Sequence, residues 1–347
     1  MSSKADSIME KFFLFGFLIF ILGGASAQTP ADGLAPPPSF ASAQALAAKG
    51  RLDQALAELD RLAAQRPEAA GVERLRGLIF YQKEDFPPAI AAFSQAEKQD
   101  ASDRESIEMH GVILFRQGKA GEAIPYLEKA HTAVERANID PQYVLGLCYA
   151  DVQRYDDARR AFAAQYGFKP DSGEAYLLAA RLFLRREFAD QAAVEARKAL
   201  AVHPDLPLAH QLLGEVALAK ADLPLAIREL EAERRINPLN GALYDRLGDA
   251  YLRSGDYARA QQELNRAVLL EPNATGPYIL LGEAMLKQQQ PVLALHYLDK
   301  AVKMDPSNYI AHNLLAQAYK ATGEMAEANR EYKLVVSLQH HADGSGK

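Results

Sequence analysis

The chain has no tryptophan and a single cysteine, Cys148, in 347 residues. One thiol closes no intramolecular disulfide and builds no thiolate metal cluster. An excess of basic residues is also missing: 39 Lys and Arg stand against 45 Asp and Glu, a formal net charge of −6. That balance argues against a nucleic-acid binder, which carries a basic face. No apolar run reaches the roughly 20 residues of a membrane-spanning helix. Walker loops, dinucleotide fingerprints, HExxH, GxSxG and paired-carboxylate arrangements are all missing, so no catalysis and no cofactor are expected. Low apolar content, the mark of disorder, is missing too, since 49% of residues are hydrophobic and 24% charged.

What is present is alanine and leucine without period-2 alternation, which favours helices. At the N-terminus Lys4 and Lys11 precede an apolar run from Phe12 to Leu22. Ala25 and Ala27 then supply the small-x-small pattern of a signal-peptidase site. The expectation is a signal peptide over 1–27, cut after Ala27, and a secreted or periplasmic protein with no stable membrane span. The other reading of this run is an uncleaved N-terminal membrane anchor. Asp6 and Glu10 interrupt the positive segment, and a start at Met9 would give a cleaner one. Residues 28–35 open a Pro-rich linker.

Prolines recur at 170, 204, 238, 272 and 306, each 34 residues after the last. Counting from Pro36 divides residues 36–342 into nine units, beginning at Pro36, Ala70, Arg104, Ile139, Gly173, Pro207, Gly241, Thr275 and Tyr309. The eighth position is small in every unit: Ala43, Gly77, Gly111, Gly146, Ala180, Gly214, Gly248, Gly282 and Ala316. The twentieth is always alanine, as in Ala158, Ala226, Ala260 and Ala294. The twenty-fourth is large, with Ala196 the exception. Two helices of one hairpin would cross at the small positions, and the large residue would fill the space beside them. The proline stops a helix between hairpins, and Gly50, Gly118, Gly255 and Gly323 suit the turn inside them.

On these residues, including Leu247-Gly248-Asp249-Ala250-Tyr251 and Leu145-Gly146-Leu147-Cys148-Tyr149, the chain resembles the tetratricopeptide repeat (TPR) family. The resemblance implies an all-α, right-handed solenoid of about nine hairpins whose concave surface holds a protein or extended peptide. It therefore points to a non-catalytic scaffold or adaptor, with a carbohydrate- or peptidoglycan-associated binder as the alternative. The latter would use Phe40, Tyr81, Phe115 and Tyr143.

The chain departs from the family at several places. The early tryptophan is replaced by Tyr176, His210, Tyr244, Tyr278 and His312. Pro36-Pro37-Pro38 shorten the first helix of the first repeat. Pro125 is expected to kink its helix or confine it to later turns. An extra residue over Val134–Asn138 reads either as a joint between repeats 1–3 and 4–9 or as a harmless bulge. Residues 343–347 read as a flexible tail.

In the family the ligand meets positions 2, 5, 6, 9, 12 and 13, which share one helical stripe. Position 6 supplies Leu178, Leu212 and Leu280. Position 9 supplies Arg181, then Glu215, Asp249 and Glu283, and Asp245 lies at position 5. Arg253 and Lys287 stand at position 13. One reading is a groove with an apolar floor and an acidic ladder for a segment carrying Lys or Arg. The other is solvated pairing, since Asp249–Arg253 and Glu283–Lys287 are spaced i, i+4. Position 5 has no lysine and position 9 no asparagine, so the family's carboxylate clamp is absent.

His110, His210 and His312 fall on packing positions and read as satisfied histidines rather than metal ligands. Cys148 reads as a buried small side chain. With no polar capping helix after repeat 9, Tyr332, Leu334, Val335 and Leu338 are expected to stay partly exposed and to support self-association or partner docking.

Overall fold

The computed structural model describes residues 39–64, 71–131 and 141–344. Among them are eighteen helices and no strands. The chain divides into two compact units, residues 1–169 and 170–347. The joint expected near 134–138 lies outside the described residues, as do the signal segment and the linker over 28–35.

The first unit holds α1 (Phe40–Ala48), α2 (Leu52–Ala63), α3 (Val72–Gln82), α4 (Phe86–Gln99), α5 (Arg104–Arg116), α6 (Ala120–His131), α7 (Pro141–Asp151) and α8 (Tyr155–Tyr166). The second holds α9 (Gly173–Arg185), α10 (Ala189–Val202), α11 (Ala209–Ala219), α12 (Leu223–Ile236), α13 (Gly241–Arg253), α14 (Tyr257–Leu270), α15 (Thr275–Lys287), α16 (Pro291–Met304), α17 (Tyr309–Thr322) and α18 (Met325–Gly344). Odd and even helices pair as hairpins, and each hairpin packs on the next within its unit. The first helix is the shortest, 9 residues, behind the three prolines. α6 continues through Pro125 from Ala120. The missing N–H of this proline therefore does not confine the helix to later turns.

The hairpin turn is built alike in all nine repeats. Its fifteenth residue is left-handed throughout, with φ between 58° and 89°. Gly50, Gly118, Gly255 and Gly323 hold four of these positions. Glu84, Gln153, Glu187, Ala221 and Gln289 hold the other five, although a Cβ disfavours that conformation. The following N–H reaches back five residues, as from Asp256 to the Tyr251 carbonyl at 2.9 Å and from Asp222 to the Ala217 carbonyl at 2.9 Å. This Schellman closure satisfies helix-end carbonyls. Asp222 and Asp256 then cap the next helix by accepting from the N–H groups of Leu225 and Arg259.

The hairpin core is a small-against-large pair. A Cβ on Gly77, Gly111, Gly146, Gly214, Gly248 or Gly282 would fall 2.3–2.8 Å from the position-24 side chain, well inside van der Waals contact. The partners Phe93, Leu127, Phe162, Leu230, Leu264 and Leu298 are fully buried. Ala196, the one small residue at position 24, belongs to a repeat in which position 8 is Ala180 rather than glycine. Both are fully buried, so added volume on one side accompanies lost volume on the other. Ala158, Ala226, Ala260 and Ala294 are also fully buried, as close crossing of the two helices requires.

The residues that replace the family's tryptophan join successive repeats. The Tyr244 and Tyr278 hydroxyls donate to the carbonyls of Pro238 and Pro272, at 2.9 and 3.2 Å. His312 Nε2 lies 3.1 Å from the Pro306 carbonyl in the same register. Each ties the inter-repeat proline to the helix that follows it. Cys148 is fully buried. Val335 is buried as well, against the expectation of partial exposure, because α18 packs on α17 and hides the side facing it.

Candidate functional site

In the second unit the first helices α9, α11, α13, α15 and α17 contact one another in sequence. Their stripe residues therefore form one continuous face. At its centre Arg246 of α13 reaches back to α11, with Nε 3.5 Å from Glu215, and its Nη1 lies 3.0 Å from Asp245 Oδ2. Gln211 donates to Glu215 at 3.1 Å, and Asn240 donates to Gln211 at 2.6 Å. Arg253 lies 3.5 Å from Asp249 and donates to the Leu218 carbonyl of α11 at 3.1 Å. Glu215, Asp245, Asp249 and Arg253 are thus brought together across two repeats.

The expected Asp249–Arg253 pair forms. No ion pair joins Glu283 to Lys287 among the described residues; Glu283 is half-buried and Lys287 exposed. Arg181 is exposed, and Leu178 and Leu280 are half-buried. Leu212 is only 4% exposed, so it supports the face from beneath rather than offering contact area. Leu218 and Leu252, at position 12, are buried in the same way.

Asp245 is the unusual member of the set. Its Oδ1 is buried and has no hydrogen-bond partner. Burial pushes its carboxyl above the ordinary value, Arg246 opposes this, and Asp249 and Glu271 add to the rise. Gly276 of α15 stands over that oxygen. A Cβ there would sit 3.6 Å from Oδ1, in ordinary van der Waals contact, and Gly276 itself is exposed. Over repeats 6–8 the face holds four carboxylates, Glu215, Asp245, Asp249 and Glu283, against three cations, Arg246, Arg253 and Lys287.

Sequence reasoning missed Arg246, Gln211, Asn240 and Gly276. The available signal was the arginine at position 6, where the other repeats of this unit carry leucine. An open cleft of about 510 Å³ also exists, bounded by Arg234, Tyr244, Glu263 and Arg266. It lies toward the second helices, away from the stripe. Its charges are engaged, with Arg234 3.2 Å from Glu263 and Arg266 over the Tyr244 ring at 5.9 Å.

Each histidine on a packing position meets a carboxylate. His110, His210 and His312 lie 3.0, 2.8 and 2.6 Å from Glu97, Glu229 and Glu331. No cluster of three or more metal-ligating side chains occurs among the described residues. No helix among them is long and apolar enough to cross a membrane. In the first unit three of the four stripe aromatics are engaged internally, Phe40 by packing on the core of its own hairpin. The Arg116 guanidinium lies 5.4 Å from the Tyr81 ring, and Tyr143 stacks on Phe162 at 5.9 Å.

Stacked helical hairpins with a shared first-helix face define a helical-repeat interaction module. The tetratricopeptide repeat family matches residues 40–104, 241–274 and 285–342, and tetratricopeptide repeats bind protein or peptide partners. No curated protein is significantly similar to the chain. Among solved structures, the chain is similar to the APC/C hetero-tetramer Cut9–Hcn1 at 19% identity, over 80% of this chain and 54% of that one, TM-score 0.44. It therefore spans about half the length of that relative. MamA from Desulfovibrio magneticus RS-1 aligns at 20% identity over 49% of this chain and 97% of its own, TM-score 0.46. PilF of Pseudomonas aeruginosa aligns at 24% identity over 48% and 75%, TM-score 0.44. These likenesses concern the fold alone.

Proposed function

We propose that the chain is a non-catalytic scaffold that holds an extended, basic segment of a partner protein across α11, α13 and α15. The supporting observation is the buried, unpartnered Asp245 oxygen just beneath the exposed Gly276. A buried acceptor without a donor is costly. A lysine or arginine from a partner would supply the donor and offset the excess carboxylate of repeats 6–8. Pairing within the ladder does not prevent this, because exposed i, i+4 pairs are worth only about 0.3–0.5 kcal/mol.

The scaffold belongs, in this proposal, to a cell-envelope or secreted assembly. The apolar run Phe12–Leu22 and the Ala25-x-Ala27 pattern support export. N-terminal sequencing of the mature protein tests that part: a chain beginning at Gln28 supports it, and an intact Met1 or Met9 refutes it.

Binding is tested by fluorescence anisotropy with a labelled lysine-containing peptide of about ten residues, which extends over roughly 35 Å. Replacing Asp249 and Glu283 together by lysine is expected to weaken binding about tenfold or more, some 1.4 kcal/mol, with helicity unchanged. Unaltered affinity in that variant, or equal affinity for the same peptide with glutamate in place of lysine, would refute the proposal.

A further inference from the structure

We propose that the segment held across α11, α13 and α15 carries an aliphatic side chain within about three residues of its basic one, on one side only, and that Ile279 and Leu280 of α15 receive it. This rests on the reading of Asp245 given above and adds a second determinant to it. Ile279 and Leu280 stand 34 residues after Asp245 and Arg246, so the same two positions are charged in repeat 7 and aliphatic in repeat 8. Both are half-buried. Ile279 leans on Tyr278, Ala301 and Ala311, and Leu280 on the core of the second unit, which fixes them while part of each stays uncovered. α13 and α17 contact α15 from either side, so this surface lies inside the array and not at its end.

Gly276, Ile279 and Leu280 are spaced i, i+3 and i+4 and share one face of α15. Gly276 is exposed, and a Cβ on it would be 3.6 Å from Asp245 Oδ1. A lysine or arginine that reaches this oxygen therefore passes beside Gly276. The chain carrying it continues within reach of two aliphatic side chains.

The other side of Asp245 offers no such surface. There Gln211 donates to Glu215 and Asn240 to Gln211, at 3.1 and 2.6 Å, and Leu212 is only 4% exposed. Beyond α15 the register of Ile279 passes to Asn313 in α17. The aliphatic surface is thus one repeat wide and lies to one side of the buried carboxylate. Packed helices stand about 8–10 Å apart, and an extended or polyproline chain advances about 3.1–3.4 Å per residue. About three residues therefore span one repeat, which sets the spacing between the two determinants.

Fluorescence anisotropy with the full chain tests this. Labelled peptides carry one central lysine in a serine background, with leucine placed in turn at each of the three positions on either side. Leucine on one side is expected to tighten binding about tenfold over the all-serine peptide, as partial burial of an aliphatic side chain provides. Leucine on the other side is expected to change nothing. Ile279→Asn, which introduces the residue that Asn313 supplies at the same register, and Leu280→Gln are each expected to remove most of the gain. Both variants should bind the serine peptide as the wild type does, which shows the groove intact. No gain on either side, an equal gain on both, or a gain that survives both variants would overturn the proposal while leaving the lysine preference in place. A glutamate peptide that binds the wild type as well as the lysine peptide would instead overturn the reading of Asp245, and this inference with it.

Discussion

Replacing Gly248 by alanine puts one methyl group where α13 crosses α14. The new Cβ would lie 2.4 Å from Leu264 Cγ and 2.5 Å from Cδ2, against the 3.5–4.0 Å of ordinary carbon contacts. Either the helices separate by about 1 Å or Leu264 leaves its rotamer, at a cost of roughly 1–3 kcal/mol. Alanine regains about 1 kcal/mol of helix propensity over glycine, so the net loss is expected at roughly 0–2 kcal/mol. Leu264→Ala deletes a fully buried side chain and is expected to cost about 2–5 kcal/mol. The double variant recreates the Ala180–Ala196 pair of repeat 5. Its cost is therefore expected to fall short of the sum by about 1–2 kcal/mol. Repeat arrays can lose two-state behaviour, so amide hydrogen exchange over α13 and α14 is the appropriate assay, with denaturant melts alongside. Gly121→Ala in α6, whose Cβ would meet nothing nearer than 3.9 Å, serves as control and is expected to be stabilising by up to about 1 kcal/mol. A Gly248→Ala as stabilising as the control, or strict additivity in the cycle, would refute the small-against-large packing.

Ala221 has φ 58°; Ala221→Gly should relieve left-handed strain of about 1 kcal/mol, while Gly255→Ala should introduce it, both read by thermal melts. Tyr278→Phe removes the hydroxyl bond to the Pro272 carbonyl and is expected to cost about 0.5–1.5 kcal/mol. Asp245 carries a carboxyl raised by burial, so the folded state holds its proton more tightly than the unfolded chain. Its stabilising contribution is complete below the ordinary aspartate value and is lost as pH rises through the folded one. Asp245→Asn should therefore be more stable than wild type at neutral pH, lose that advantage in acid, and bind the basic peptide less well. A variant less stable than wild type at neutral pH would contradict the reading of Asp245.

The period of 34 residues makes the hairpins legible, because helix crossings demand small residues and inter-repeat stops demand proline at fixed spacing. The turns are legible only where glycine marks them. Glu84, Gln153, Glu187, Ala221 and Gln289 adopt the same left-handed geometry under the closure of the helix end, and their side chains give no hint of it. Ala196 is an exception at position 24 that accompanies the larger Ala180 at position 8 of the same repeat, a pairing visible only when the two positions are taken together. The Asp249–Arg253 pair follows from i, i+4 spacing, whereas Arg246 bridging Glu215 and Asp245 joins two repeats and follows from no local rule. Leu212 sits on the expected stripe, yet packing hides it. Val335 departs from expectation for a related reason: an end helix still buries the side that faces its own partner.

The central claim is that a basic, extended segment lies across the first helices of repeats 6–8. Hydrogen exchange of the full chain with and without the lysine-containing peptide tests it directly. Added protection is expected to concentrate in α11, α13 and α15, and to be lost in Asp245→Asn. Protection confined to other helices, or protection in the same helices that survives Asp245→Asn unchanged, would contradict it.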